Sequence, residues 1–79
     1  MQGRRKADLE IGLRTVEELY KKFPDLKDID ICKRLGIERR NFWEWKTGGN
    51  PGTFALQQIC YAGCDVKYIL TGIRSTKND

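Results

Sequence analysis

The chain contains no histidine, and its three cysteines are an odd number. Without histidine, the commonest general base and a frequent metal ligand are missing, and an odd cysteine count argues against both a disulfide framework and a zinc site. Cys60 and Cys64 do fall i, i+4 on one helix face. A metal or redox pair and a pair of small core residues in a reducing cell both fit that spacing, the second more simply. Also missing are a nucleophile elbow, a glycine-rich phosphate loop with its Lys-Ser/Thr, and a pair of acids set apart from solvated helix faces. The expectation is a protein that is not an enzyme and holds no cofactor or metal. No apolar run approaches the roughly 18 residues of a spanning helix, and the basic start Met1-Gln-Gly-Arg-Arg-Lys6 lacks the apolar stretch of a secretory signal. A membrane is therefore not an expected partner, and the expected compartment is the cytoplasm.

What is present is a small globular composition. Seventy-nine residues, 39% hydrophobic and 33% charged, are enough for one domain with a small, efficiently packed core. The formal net charge of +4 is a mild bias toward polyanions. Its distribution says more, because eleven of the fifteen Lys and Arg lie in residues 1–40. Four of these, Lys33, Arg34, Arg39 and Arg40, bracket a single glycine, Gly36.

Helical periodicity runs through most of the chain, with no convincing strand, internal repeat or low-complexity stretch. From Ala7 to Phe23, the residues Leu9, Leu13, Val16, Leu19, Tyr20 and Phe23 recur at spacings of three and four, as in an amphipathic helix. Gly12 weakens its middle, where a break or a bend is expected, and Pro24 ends it. Glu17, Glu18, Lys21 and Lys22 read as its solvated face. In the next helix Ile29, Ile31, Cys32 and Leu35 point inward, Asp28, Asp30, Lys33 and Arg34 point to water, and Asp25 or Asp28 is the expected cap. Gly36 closes this helix in the left-handed conformation, and Ile37 folds back onto it.

A further helix begins near Glu38, with Phe42 and Trp45 three apart and facing the core. Arg39, Arg40, Trp43, Glu44 and Lys46 point away from that seam. Residues 47–52, Thr-Gly-Gly-Asn-Pro-Gly, form a loop that suits either a plain turn or a close approach to phosphate. Thr53 then caps a helix through Tyr61 with Phe54, Leu56, Ile59 and Cys60 as core positions, closed by Gly63. Asp65 caps a last helix, closed by Gly72, in which Val66, Ile69 and Leu70 pack inward. The fold class is all-α, a compact bundle of about five helices. Residues 28–47 carry two helices joined by a tight turn, the helix-turn-helix signature.

The run Asp30-Ile-Cys-Lys-Arg-Leu-Gly-Ile37, with Trp43 and Trp45 beyond it, resembles the lambda-repressor/Cro-like helix-turn-helix family of bacteria and phages. In that family a small residue sits where the two helices cross, which corresponds to Cys32, and a buried tryptophan near the end of the recognition helix corresponds to Trp45. Asp65-Val-Lys-Tyr-Ile-Leu-Thr-Gly72 resembles the last helix of phage CI-type repressor domains, which often ends in Leu-Thr-Gly. Together the resemblance spans residues 9–73, leaving a basic N-terminal arm over 1–8 and a polar tail over 74–79. Glu38 and Glu44 depart from the small or polar residues usual in such recognition helices. Family members commonly continue into a linker and an oligomerisation domain. The resemblance therefore fits both a short Cro-like regulator and the N-terminal piece of a longer repressor, in the bacterial cytosol or nucleoid.

The function so implied is sequence-specific binding of a palindromic double-stranded operator, with the recognition helix, about 38–47, in the major groove of the DNA. Arg39 and Arg40 are the first candidates for reading bases, since a guanidinium can grip guanine O6 and N7 bidentately. Asn41 can read adenine, Glu44 can accept from cytosine N4, and Trp43 either meets a thymine methyl or covers the partner helix as core. Lys27, Lys33, Arg34, Lys46 and Thr47 are the candidate phosphate contacts, and Arg4, Arg5 and Lys6 form either an arm along the DNA or a solvated tail. Two half-sites require a homodimer, for which Asp65 to Arg74 is the expected interface. A second reading keeps the fold but gives it a protein partner, with Trp43, Tyr61 and Tyr68 as interface anchors.

Overall fold

The computed structural model describes residues 6–74, with only the backbone described for residues 6–9. Arg4, Arg5, the side chains of Lys6 and Leu9, and residues 75–79 thus lie outside the described part. Five helices follow in order: α1 (Lys6–Lys22), α2 (Asp28–Leu35), α3 (Arg39–Lys46), α4 (Thr53–Tyr61) and α5 (Val66–Thr71). α1 packs against α3 and α5, α2 packs against α3 and α4, and α4 packs against α5. The buried core joins Val16 and Leu19 of α1 to Ile31, Cys32 and Leu35 of α2, Phe42 and Trp45 of α3, Ala55 and Ile59 of α4, and Ile69 of α5. Among the described residues no helix is long and apolar enough to cross a membrane.

α1 runs through Gly12 without a break. The reason is packing. A Cβ at position 12 would meet the carbonyl oxygen of Gly49 and lie 2.6 Å from that of Trp45, closer than any real Cβ contact allows. Glycine at this point lets the backbone at the end of α3 and the loop after it lie directly on α1. The loop is held in turn by the amide of Gly49, which donates to the carbonyl of Glu44 at 2.7 Å.

The solvated face expected of α1 is only partly solvated. Glu18 is buried, and its carboxylate accepts from Arg74 Nη1 at 2.7 Å, with Lys21 4.0 Å away. Thr15 is fully buried, its hydroxyl donating to the carbonyl of Ile11 at 2.8 Å, which satisfies a side chain that would otherwise be an unpaired polar group. Leu13 and Tyr20, expected inside, are exposed.

α2 has Asp28 and Asp30 in its first turn and Lys33 and Arg34 in its last, the charge order that complements the helix dipole. Its N-cap is Lys27, without a side-chain capping bond, so neither Asp25 nor Asp28 caps it. Asp28 is occupied elsewhere: it accepts from Tyr20 Oη at 2.9 Å and from Lys46 Nζ at 2.6 Å. Ile31, Cys32 and Leu35 are buried as expected, but Ile29 is exposed. The C-terminus closes on Gly36 at φ 72°, with the Ile37 amide bonded to the Cys32 carbonyl and the Gly36 amide to that of Lys33. This is the two-bond Schellman closure, with Ile37 packed against the core behind it.

At α4 the N-cap is Gly52, not Thr53, and again no side chain caps the helix. Phe54 and Cys60, expected in the core, are exposed, as is Leu70 of α5. Asp65 does cap α5, its carboxylate accepting from the Tyr68 amide at 3.0 Å, and Gly72 ends the helix in the left-handed conformation.

Candidate nucleic-acid interface

α2 and α3 are joined by three residues, Gly36, Ile37 and Glu38, and α3 is fastened from below by its aromatic seam. Phe42 and Trp45 are buried and meet edge to face at 5.7 Å, and Tyr20 meets Phe42 edge to face at 6.0 Å. Lys46 closes the seam at its end. Its ammonium is bonded to Asp28 and lies 5.3 Å from the centre of the Phe42 ring and 5.8 Å from that of Tyr20. The Lys46 bond holds the Asp28 carboxyl below its ordinary value, and the same bond raises Lys46. Three helices are thereby tied at one corner, α1 through Tyr20, α2 through Asp28 and α3 through Lys46.

With that face anchored, the rest of α3 is open. Arg39, Arg40, Asn41, Trp43 and Glu44 are all exposed. Trp43 is 60% exposed, which decides against its covering the neighbouring helix as core. Among the described residues Arg39 and Arg40 have no carboxylate within salt-bridge distance. Arg39 lies on the Asp28 side of the helix, where its charge contributes to holding the Asp28 carboxyl down. Glu38, Asn41 and Glu44, spaced three apart, line the opposite side and border a groove shared with Phe54 and Ala55. Arg39 is thus set apart from the two acids, while Arg40, i, i+4 from Glu44, shares that residue's face of α3.

The expected phosphate contacts divide as well. Lys27 and Lys33 are exposed, Lys27 at the N-cap of α2, and neither engages a carboxylate among the described residues. Thr47 is exposed and its hydroxyl donates to the Glu44 carbonyl at 3.2 Å. Lys46 is committed to Asp28, and Arg34 lies over the Phe23 ring at 5.4 Å on the wall of a second groove that shares no residue with the first. Of the residues weighed as protein-interface anchors, Tyr61 is 74% exposed. Tyr68 is held: its hydroxyl donates to Glu17 at 2.8 Å and its ring is covered by Arg74 at 3.7 Å. That bond to Glu17 raises the Tyr68 hydroxyl above its ordinary value.

Burial raises the Cys32 thiol and pushes the Cys64 thiol up to about 11, so both are protonated at neutral pH, while Cys60 is exposed. Among the described residues no group of three or more His, Cys, Asp or Glu side chains is arranged to hold a metal ion. Compared with known protein families, characterised proteins and solved structures, the chain matches none of them.

Proposed function

We propose that α2, the turn at Gly36 and α3 work as a helix-turn-helix unit that binds double-stranded DNA in a sequence-dependent manner, with α3 as the recognition helix. The observation that carries this reading is the position of Arg39 and Arg40 in the first turn of α3, exposed and with no carboxylate within salt-bridge distance among the described residues. The positive end of the helix dipole disfavours cations there by about 0.3–1 kcal/mol each. α2 follows the opposite and favourable order, acids first and bases last. A local conflict of this kind is offset by an external anion, and two guanidinium forks on an exposed helix suit phosphate and guanine.

The sorting of the acids supports the same assignment. Glu38 and Glu44 border the groove toward α4, so the flank bearing Arg39 can approach a phosphate backbone with less repulsion. Arg39 and Arg40 then read bases together with the exposed edge of Trp43. Asn41 and Glu44 reach bases only from the groove side, and Lys27 and Lys33 hold backbone. The resemblance to lambda-repressor/Cro-like proteins adds the expectation of a palindromic operator bound by a homodimer.

The test is selection of bound sites from random DNA by the purified chain. Enrichment of a palindrome, lost in the Arg39→Ala/Arg40→Ala variant, is the expected result. A well-folded parent that enriches nothing and shows no salt-dependent DNA binding overturns the reading. The exposed Trp43 beside the acid-bordered groove favours, as the second reading, a protein partner docked on α3. A nuclease-treated pull-down that yields a stoichiometric partner, sensitive to Trp43→Ala, decides for it.

A further inference from the structure

The second groove lies between the ends of α1 and α2 and the outer side of α4, and its lining combines Phe23, Leu35 and Ala62 with Lys22, Arg34 and Tyr61. Its volume, about 380 Å³, is enough for one or two large side chains of a ligand. Among the described residues no acidic one lines it. Lys22 and Arg34 are exposed and have no carboxylate within salt-bridge distance among the described residues. The nearest buried acid of α1, Glu18, is already neutralised by Arg74 and so does not compensate them. Tyr61, on the same wall, is 74% exposed although it carries one of the larger apolar surfaces of the chain.

We propose that this groove docks a short acidic segment of a partner protein, which sets a leucine or aromatic side chain on Phe23, Leu35 and Ala62 and its carboxylates against Lys22 and Arg34. The charge of the rim selects the sign of the partner, and the apolar floor selects a peptide over a phosphate backbone, which has nothing to bury there. The planar guanidinium of Arg34, held over the Phe23 ring, is pre-set for a carboxylate fork. Tyr61 is the anchor that closes over the inserted side chain. This site is independent of α3: the groove contains none of Arg39, Arg40, Asn41, Trp43 or Glu44.

The experiment is display selection with the whole chain as bait against random peptides of about 12 residues, followed by amide chemical-shift mapping with the strongest peptide. The expected result is enrichment of peptides rich in Asp and Glu around a leucine or aromatic residue. Shifts should centre on Phe23, Gln58 and Ala62, with about tenfold or greater loss of affinity in both Lys22→Glu and Arg34→Glu. Leu35→Ala risks the fold, so Tyr61→Ala, which removes an exposed ring, reports the apolar contribution instead. Enrichment of basic or uncharged peptides overturns the proposal, as do shifts centred on α3 and an absence of enrichment. If Arg34→Glu and Lys22→Glu abolish DNA binding while no acidic peptide competes, the groove is a phosphate contact and the proposal fails. If the same face instead self-associates in sedimentation, the occupant is a second copy, and the peptide assignment is equally overturned.

Discussion

Arg74 donates to the buried carboxylate of Glu18 at 2.7 Å across 56 positions of chain, and stacks on Tyr68 on the way. Arg74, three residues past the end of α5, is therefore part of the packing of α1, and it neutralises Glu18, which is only 7% exposed. Removing one member of such a pair strands the other. Arg74→Ala is expected to lower the melting temperature more than Glu18→Gln does, because only the first leaves a buried carboxylate with Lys21 alone at 4.0 Å. The double variant should recover part of the loss. Thermal unfolding by circular dichroism checks this, and strictly additive losses would show that the two residues do not act as a pair.

Gly12 gives a test in which two physical arguments predict opposite signs. By helix propensity, Gly12→Ala stabilises the middle of α1 by about 1 kcal/mol. By packing, the added Cβ collides with the carbonyls of Gly49 and Trp45, both backbone atoms that cannot swing aside. Overpacking costs about 1–3 kcal/mol and should win. Denaturant unfolding of Gly12→Ala should therefore show a lower midpoint than the parent, whereas a higher one would mean that α1 and the loop after α3 are not in contact.

That glycine also marks where sequence reasoning stops. Periodicity locates Ile31, Cys32, Leu35, Phe42 and Trp45 because each shares a narrow stripe with its neighbours in a helix of eight residues. It fails for Ile29, which lies well off the stripe formed by residues 31, 32 and 35. It fails also for Phe54 and Cys60, since α4 carries apolar residues on several sides and its period does not choose a face. Glu18 reads as surface because its partner is 56 positions away, and the sequence within one helix carries no trace of that contact. At the candidate interface the exposed arginines were legible from the Phe42/Trp45 seam. The capture of Lys46 by Asp28 was not, because it depends on how α2 crosses α3.

The Asp28–Lys46 pair makes a pH prediction. The Asp28 carboxyl is held below its ordinary value, chiefly by the Lys46 bond, so its contribution is present above the ordinary carboxylate range and is lost as pH falls through its lowered value. Lys46 is raised, so its contribution is complete below the ordinary lysine value and is lost only as pH rises through the raised one. Asp28→Asn should thus destabilise by a constant amount across neutral pH, about 0.5–1 kcal/mol for a half-exposed pair. The difference from the parent should shrink toward zero in strong acid. A difference that persists unchanged at low pH would assign the effect to the Tyr20 hydrogen bond or to packing.

The two tryptophans should separate cleanly. Trp45→Ala opens a cavity in a small core and should cost about 3–5 kcal/mol, enough to leave the domain barely folded. Trp43, 60% exposed, touches little that supports the fold, and Trp43→Ala should change stability by about 0.5 kcal/mol or less. Acrylamide quenching distinguishes them in folded protein: the Trp45→Phe variant, which keeps Trp43, should be quenched readily, and Trp43→Phe, which keeps Trp45, should be protected. Equal quenching of both would contradict the anchored seam beneath α3.

Lysine substitutions distinguish contacts made with DNA from contacts made within the protein. Each phosphate contact removed should flatten the dependence of log affinity on log salt by about 1, while binding falls similarly on all sequences. Under the DNA-binding reading Lys27→Ala and Lys33→Ala should do this without loss of stability, since both side chains are exposed and free of carboxylates among the described residues. Lys46→Ala should behave in the opposite way. It breaks the bond to Asp28 and uncovers the rings of Phe42 and Tyr20, so the melting temperature should fall while the salt slope of the remaining binding stays as in the parent. Titrations between about 50 and 200 mM salt measure the slopes directly. If Lys46→Ala flattens the slope as Lys33→Ala does, then Lys46 leaves Asp28 to contact phosphate when α3 meets its site.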